Sequence, residues 1–184
     1  MPLGDEAFRP VLDAAKVGAD WAWSALFRDL WGPVAGYLAN RGSPEPEDTA
    51  SEVFLKMARA IHDFEGDEAS FRSWVFVIAH RSLIDQRRRA SRRPDLSPMP
   101  EGAHLEAGDV EEEAMDRLAT EELIEVFGAL TVDQRDVLAL RMIGGLTLEQ
   151  TAQVLGKSPG AVKALQRRAL AAVQGVLEAV DVTL

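Results

Sequence analysis

Arginine is the chemistry-bearing residue that clusters most strongly in this sequence. Six of the thirteen residues between Arg81 and Arg93 are arginine. Their positive charges repel one another unless a polyanion or an acidic partner lies beside them. The cluster therefore predicts a surface that binds phosphate groups or carboxylates.

A second basic segment lies towards the C-terminal end of the sequence. Residues 157–168 include four cations and no acidic residue, whereas residues 101–116 include seven acidic residues and no basic one. The formal net charge of −10 at pH 7 argues against a nucleic-acid-binding protein, since phosphate contacts need lysine and arginine. Because the charge is segregated along the chain, the net value hides two basic patches separated by an acidic stretch.

Catalytic and metal-binding chemistry find no support in the residue types present. The 184 residues include no cysteine, which excludes disulfides, thiolate metal sites and thiol catalysis. The histidines His62, His80 and His104 have no partner at ligand spacing, and the sequence has no glycine-rich phosphate loop or nucleophile elbow. We therefore expect no catalytic residue, no metal, no cofactor and no enzymatic activity.

The sequence also lacks the patterns of export and membrane insertion. Its first ten residues, MPLGDEAFRP, do not contain the apolar segment of a signal peptide. No apolar run approaches the roughly 18 residues that a membrane-spanning helix needs. We expect a cytoplasmic protein without membrane insertion.

Apolar residues recur at helical spacing through most of the sequence, which predicts an all-α fold. The first helical run should kink or split at Pro33, and Ser70 should cap the third helix. The proline- and glycine-containing residues 93–109 predict an extended linker. The expected helices cover approximately residues 20–41, 46–61, 71–90, 110–130, 132–144, 146–155 and 159–180.

Residues 146–168, LTLEQTAQVLGKSPGAVKALQRR, carry the signals of two short helices joined by a tight turn. Thr147 can cap the first helix, and Gly156 can end it in the left-handed conformation. Ser158 can cap the second helix, with Pro159 at its first position. These signals together predict a helix-turn-helix.

The outer face of the second of these helices carries side chains that suit the DNA major groove. Lys163, Gln166 and Arg167 point away from the expected apolar stripe, and such side chains reach base edges and phosphates. The alternative is an ordinary helical hairpin with a solvated cationic face. We favour DNA binding because the caps, the turn and the charge agree, although the motif alone does not identify the class of DNA-binding protein.

Two longer segments resemble a known protein family. EDTASEVFLKMARAIHDF, together with FRSWVFVIAHRSLIDQRRRASRR, resembles the second conserved region of extracytoplasmic-function sigma factors of bacterial RNA polymerase. LTVDQRDVLALRMIGGLTLEQTAQVLG, with the helix-turn-helix, resembles their fourth conserved region. The two segments also occur in the family's order and separation, which makes the case stronger than either segment alone.

The resemblance implies both an architecture and a function. We expect two small helical domains joined by a flexible linker, namely a region 2 domain at residues 1–92, the linker at residues 93–112 and a region 4 domain at residues 113–184. The implied function is to bind core RNA polymerase, at the β′ clamp and the β flap, and to direct promoter-specific transcription initiation. The implied partners are core polymerase, promoter DNA and an anti-sigma factor.

The resemblance further implies a polymerase-docking face on the helix that begins near residue 46. Asp48, Glu52 and Lys56 are spaced four residues apart, so they share one exposed helix face. In the family this helix docks on the β′ clamp. A solvated face with an internal ion pair between Glu52 and Lys56 remains the alternative.

The loop and helix that follow residue 63 resemble the family's reader of the melted minus-ten promoter element. A captured base needs an aromatic or apolar wall, hydrogen-bonding groups and cations along the backbone path. Trp74 and Ile78 fall on the inward stripe and are expected in the core. Many family members carry asparagine where Arg81 stands, which leaves the base preference there open. The expected minus-ten residues are Phe64, Ser70, Phe71, Arg81, Arg87 and Arg88.

The helix-turn-helix is similar to the family's reader of the minus-thirty-five element. The expected contact residues are Ser158, Lys163, Gln166 and Arg167. Residues 164–166, ALQ, stand where a Ser-Arg-Leu type sequence is common, so the preferred minus-thirty-five sequence does not follow from the family.

Other functions remain open on the sequence alone. A stand-alone helix-turn-helix regulator would bind duplex DNA tightly without polymerase, whereas a helical anti-sigma factor or adaptor would need no groove-reading helix. An enzyme would need the site that the sequence lacks. The acidic segment from Pro94 to Glu113 either threads the polymerase cleft, as in the family, or acts as a plain spacer.

Overall fold

The fold is built of helices throughout the part of the chain that the structure describes. The computed structural model describes Leu3, residues 5–91 and residues 130–181. Within these ranges there is no β-strand, so the expected all-α fold is confirmed. In chain order the helices are α1 (Asp5–Lys16), α2 (Asp20–Asn40), α3 (Pro46–Ala60), a 3-10 helix (Ile61–Asp63), α4 (Glu68–Ser91), α5 (Val132–Met142), α6 (Leu148–Leu155) and α7 (Pro159–Asp181).

The first helix, α1, was missing from the sequence-based prediction. Its buried residues Phe8, Val11, Leu12 and Ala15 have the i, i+3, i+4, i+7 spacing of a helix that packs on one face. Pro10 is the sixth residue of this helix, so the carbonyl of Glu6 lacks its helical N–H donor, and packing of the buried stripe offsets that loss. The periodic signal was therefore present in the sequence.

Helix α2 is one element from end to end, so Pro33 does not split it; of the expected kink or split at Pro33, the split is wrong. Its buried stripe continues on both sides of the proline, with Leu26 and Leu30 before it and Val34 and Leu38 after it. Packing of this stripe offsets the hydrogen bond that proline cannot donate.

Helix α4 begins earlier than expected, at Glu68, so Ser70 is not its cap. The backbone N–H of Ser70 instead donates to Oδ1 of Asp67 at 2.8 Å. Hydrogen bonding from Ser70, first from its side chain and then from this backbone N–H, lowers the pKa of the Asp67 carboxyl, since it favours the ionised form. The start of α4 is also tied to α2 through Arg72, which contacts Asp29 at 2.7 Å and Glu68 at 3.1 Å.

One apolar core joins the helices before residue 91 to those after residue 130. Leu140, Leu146 and Val154 belong to the same buried cluster as Tyr37 and Phe76. Between the two groups of helices, α4 and α6 make the more extensive contact, and α2 makes a smaller one with α5. The two groups of helices therefore pack directly against each other.

The helix-turn-helix forms as the sequence indicates. Thr147 and Gln150 make a reciprocal capping box at the start of α6. Gly156 ends α6 at φ 62°, in the left-handed region that glycine enters at low cost. Val137, Ala152 and Val162 form a small core among α5, α6 and α7.

The expected linker at residues 93–112 and the expected helix at residues 110–130 lie outside the described residues, except for Leu130. Leu130 is buried against α5 and α7, where Leu138 and Ala169 complete a second small cluster.

Candidate nucleic-acid interface

Helix α7 presents one polar face to solvent. Val162 and Ala169 are buried, which fixes the rotation of the helix on its neighbours. Lys163 and Arg167 are exposed and Gln166 is half-exposed, so the three side chains lie together at i, i+3 and i+4. The structure thus brings together the three expected groove-facing residues of α7.

The N-terminus of α7 is ordered by its cap and by one ion pair. Ser158 Oγ accepts the backbone N–H of Ala161 at 3.2 Å. The neighbouring Lys157 Nζ donates to Asp133 Oδ2 on α5 at 2.9 Å. The exposed Ser158 therefore lies at a helix N-terminus, where free backbone N–H groups favour a phosphate.

Three aromatic rings meet where the 3-10 helix leads into α4. The ring centroid of Phe64 lies 5.1 Å from that of Phe71 and 5.1 Å from that of Trp74. Phe71 is only 2% exposed, because the Phe8 ring of α1 covers it at 5.2 Å. Phe64 and Trp74 are half-buried. Of the two aromatic residues expected to contact the minus-ten element, Phe64 is accessible to solvent. Phe71 is buried and packs against the Phe64 ring.

A close turn holds the loop that follows Phe64. Gly66 has φ 154°, and a Cβ atom there would lie 3.0 Å from the Phe64 ring and 3.1 Å from Cβ of Ser70. Only glycine fits this approach without a shift of its neighbours. Ser70, another expected contact residue, is exposed on the adjoining turn.

The expected arginines of α4 differ in their surroundings. Arg81 and Arg88 are exposed. The Arg87 Nη2 group donates to the backbone carbonyl of Arg41, and burial lowers the pKa of its guanidinium, with nearby Arg41 acting in the same direction. Arg81 and Arg88 are thus available to a polyanion, while Arg87 also serves a structural contact.

The expected polymerase-docking residues lie on the outer face of α3. Asp48 and Glu52 are exposed. Lys56 turns towards α4, where its Nζ donates to Ser82 Oγ at 2.8 Å. The face is therefore predominantly acidic at its N-terminal end.

An apolar groove beside this face was not expected from the sequence. It has a volume of 710 Å³ and lies between α2 and α3. The Phe27 and Trp31 rings stack at 4.6 Å along one side, and Phe54 closes the base at 5.1 Å from Phe27. Leu55 and Phe27 are 58% and 45% exposed, which is unusual for large apolar residues. The signal in the sequence was a second apolar stripe on α2, formed by Trp23, Phe27 and Trp31, that runs beside the stripe of Leu26 and Leu30.

A buried ion pair fastens α5 to α2. Arg41 binds Asp136 Oδ1, and their side chains are only 1% and 7% exposed. The Tyr37 hydroxyl lies 3.4 Å from the same carboxylate oxygen and 2.8 Å from Nδ1 of His80. Burial and the Asp136 charge raise the pKa of Tyr37 well above its ordinary value, so it stays a neutral phenol.

Helix α6 covers the start of α4. The Gln150 side chain, whose Oε1 completes the α6 cap, donates from Nε2 to the backbone carbonyl of Ala69 at 2.6 Å. The Ser73 hydroxyl donates to Gln153 Oε1 at 3.3 Å. The helix-turn-helix therefore rests on the same turn that carries Ser70.

Comparison with known proteins decides the family. Models of Sigma-70 region 2 and Sigma-70 region 4 match residues 25–93 and 120–173. The ECF RNA polymerase sigma factor SigC of Mycobacterium tuberculosis (strain CDC 1551 / Oshkosh) is 31% identical over 183 residues, which cover 97% of this chain and 96% of SigC. The chain belongs to the extracytoplasmic-function sigma factors.

Two further similarities support this assignment. The chain is 29% identical over 166 residues to the ECF RNA polymerase sigma factor BldN of Streptomyces coelicolor (strain ATCC BAA-471 / A3(2) / M145), covering 87% of this chain but only 62% of BldN. The solved structure of CnrH in complex with the cytosolic domain of CnrY matches with a TM-score of 0.68 and 25% identity, over 93% of this chain and 97% of that one. Because the match covers 93% of this chain, it includes helices of both regions.

The family assignment divides the helices between two conserved regions. Region 2 of this sigma factor comprises most of α2, together with α3 and α4, and region 4 comprises α5, α6 and most of α7. The Arg41–Asp136 ion pair therefore joins region 2 to region 4. Helix α1 precedes the matched part of region 2. Among the described residues, no helix is long and apolar enough to cross a membrane, and no group of side chains suits a metal ion.

The folding stability of the protein should fall as the pH falls below 6.5. Burial lowers the pKa of His80 below its ordinary 6.5, with Arg41 and Arg87 acting in the same direction and Asp136 opposing them. Below pH 6.5 the unfolded chain binds a proton that the folded protein resists, so stability is lost as the pH drops towards the depressed folded pKa.

The measurement is urea unfolding of the wild type and His80→Asn between pH 5 and pH 8. We expect the wild type to lose stability relative to His80→Asn below about pH 6.5. His62→Asn, at an exposed position, is the matched control and should follow the wild type. Parallel pH curves for the wild type and His80→Asn would contradict the prediction.

Proposed function

We propose that this sigma factor binds core RNA polymerase and directs it to promoters, with region 2 reading the minus-ten element and region 4 the minus-thirty-five element. The observation that carries the proposal is the helix-turn-helix of region 4, whose α7 presents Lys163, Gln166 and Arg167 on one solvent face. A polar helix face of this kind fits the major groove. Region 4 packs against region 2, whose own surface carries basic and aromatic side chains.

Region 2 supplies the features that a melted strand needs. Phe64 offers a half-exposed ring for stacking, and Ser70 an exposed hydroxyl beside it. Arg81 and Arg88 add charge along the solvent side of α4. Stacking and backbone neutralisation together are the usual basis of single-strand binding.

The outer face of α3 is the proposed polymerase-docking surface. Asp48 and Glu52 offer exposed carboxylates, and the apolar groove with Phe27 and Leu55 lies beside them. An apolar centre with a charged rim is the usual anatomy of a protein interface. We propose that the polymerase β′ clamp covers this combined surface.

We infer that the described arrangement is a closed form of the protein. The two promoter elements lie roughly 25 base pairs apart, which is about 85 Å of duplex at ~3.4 Å per base pair. In the structure α6 contacts the start of α4 directly through Gln150 and Gln153. Regions 2 and 4 therefore have to separate before both promoter elements are bound at once.

Control by an anti-sigma factor fits the closed form. The related CnrH has been solved in complex with the cytosolic domain of another protein, CnrY. A partner that binds both regions would keep them together, since it stabilises the state to which it binds more tightly.

The test is transcription with purified core polymerase on a fragmented genomic library, with sequencing of the 5′ ends. We expect start sites that require this protein and share two spaced upstream elements. If no such start sites appear while the protein alone retains specific duplex fragments, a stand-alone regulator replaces the proposal.

A further inference from the structure

Helix α1 lies outside the part of the chain that matches region 2, yet it packs against the candidate minus-ten loop. Its buried stripe faces α2 and the start of α4. Phe8 contacts the ring of Phe71, which in turn lies below Phe64. On the α2 side, Trp23 Nε1 donates to the carbonyl of Ala15 at 3.1 Å. These contacts fix the position of α1 independently of any charge on it.

The last turn of α1 makes one polar contact with the loop. Lys16 Nζ donates to the backbone carbonyl of Phe64 at 2.6 Å, across 48 residues of sequence. The Phe64 N–H donates to the carbonyl of Ile61 at 3.1 Å. Both backbone polar groups of Phe64 are therefore held, one by its own turn and one by α1.

The direction of the Phe64 ring depends on this backbone position. Phe71 and Trp74 pack against the ring, and the close turn at Gly66 leaves little room beside it. A shift of the Phe64 backbone would move the ring against neighbours that have little space to give. The bond from Lys16 thus reaches the one aromatic residue of the loop that is accessible to a base.

We propose that Lys16 is a positioning residue for minus-ten recognition, holding Phe64 through its carbonyl group so that the ring meets the captured base in one orientation. The inference rests on the proposed role of the Phe64–Ser70 loop as the minus-ten reader. It assigns to α1 a part in promoter specificity that the matched regions do not include.

A direct phosphate contact by Lys16 is the competing explanation, and it makes a different prediction. Loss of a phosphate contact weakens binding about equally on all sequences, whereas loss of base positioning changes the preference among sequences. The readout therefore has to be the base preference at the minus-ten element and not the total transcript yield.

The experiment uses reconstituted holoenzyme and a promoter library with a randomised minus-ten element. We expect Lys16→Met to reduce the discrimination between the best and the average element about three- to tenfold, the scale of a typical intramolecular hydrogen bond. Lys16→Arg keeps a donor of similar reach and should retain most of the preference. Arg9→Met removes an exposed cation from the same helix and should leave the preference unchanged.

Phe64→Ala separates failure of this inference from failure of the proposed function. If Phe64→Ala changes the minus-ten preference and Lys16→Met does not, Lys16 has no positioning role. A uniform loss of transcription on all library members in Lys16→Met also overturns the inference. If Phe64→Ala itself leaves the preference unchanged, the loop is not the minus-ten reader and both proposals fall.

Discussion

Asp136→Ala is expected to open the closed arrangement of regions 2 and 4. The substitution leaves the guanidinium of Arg41 buried without its carboxylate, at a position where the Arg41 side chain is only 1% exposed. Breaking one partner of a buried ion pair costs about 3–5 kcal/mol, a large part of the stability of a domain of this size. The expected result is a larger radius of gyration in solution scattering and a lower unfolding temperature.

Two variants test whether this effect belongs to the buried pair. Asp133→Ala, on the exposed side of the same helix, removes only the Lys157 ion pair and should change stability by less than about 1 kcal/mol. The double variant Arg41→Met with Asp136→Leu removes both buried charges and should recover much of the stability, since apolar replacements of buried pairs are often neutral. Equal behaviour of Asp136→Ala and Asp133→Ala would show that the pair does not hold the regions together.

Arg167→Ala is expected to have the largest effect on promoter use. A side chain that reads a base in the major groove contributes about 1–3 kcal/mol of discrimination, so transcription from a promoter with a good minus-thirty-five element should fall about five- to 150-fold at subsaturating holoenzyme. The preference at one minus-thirty-five position should relax in parallel.

The neighbouring Arg168 offers a matched control for Arg167. It is exposed on the same helix, but its Nε bonds back to the carbonyl of Ala164. Arg168→Ala removes the same charge and should reduce transcription by a smaller factor, without a change of sequence preference. If the two variants lose the same activity on every promoter, α7 contributes charge but does not read bases.

The helix-turn-helix was predictable because its signals are local. Thr147, Gly156, Ser158 and Pro159 each act on the backbone within four residues of themselves, and all four do in the structure what their types indicate. The exposed face with Lys163 and Arg167 follows from the buried positions Val162 and Ala169 of the same helix. Local chemistry was sufficient here because no distant contact was needed to choose the conformation.

The long-range contacts were not predictable in the same way. Asp136 lies in the sequence DQRDVLALR, where a charged residue on a short helix looks like surface, yet its partner Arg41 is 95 residues away. Lys16 similarly looks like the solvated last turn of an amphipathic segment. Only the three-dimensional arrangement shows that each of these charges is held by a distant group.

The aromatic residues were predictable only in part, because some of their contacts are local and others are long-range. Phe64, Phe71 and Trp74 all have the residue type that stacks on a base, and helical spacing placed Trp74 on the inward stripe. It did not show that α1 covers Phe71 through Phe8, since α1 itself had not been recognised. The accessibility of Phe71 therefore depends on α1, a helix that is not among those predicted from the sequence.

The most direct test of the proposed function is the distance between regions 2 and 4 before and after promoter binding. Because the chain has no cysteine, Asp13→Cys on α1 and Ala171→Cys on α7 allow two fluorophores to be attached at exposed positions without other changes. We expect efficient energy transfer in the free protein and its loss, with a separation of several tens of ångströms, in the complex with core polymerase and promoter DNA. Efficient transfer that persists in an active promoter complex would contradict this expectation.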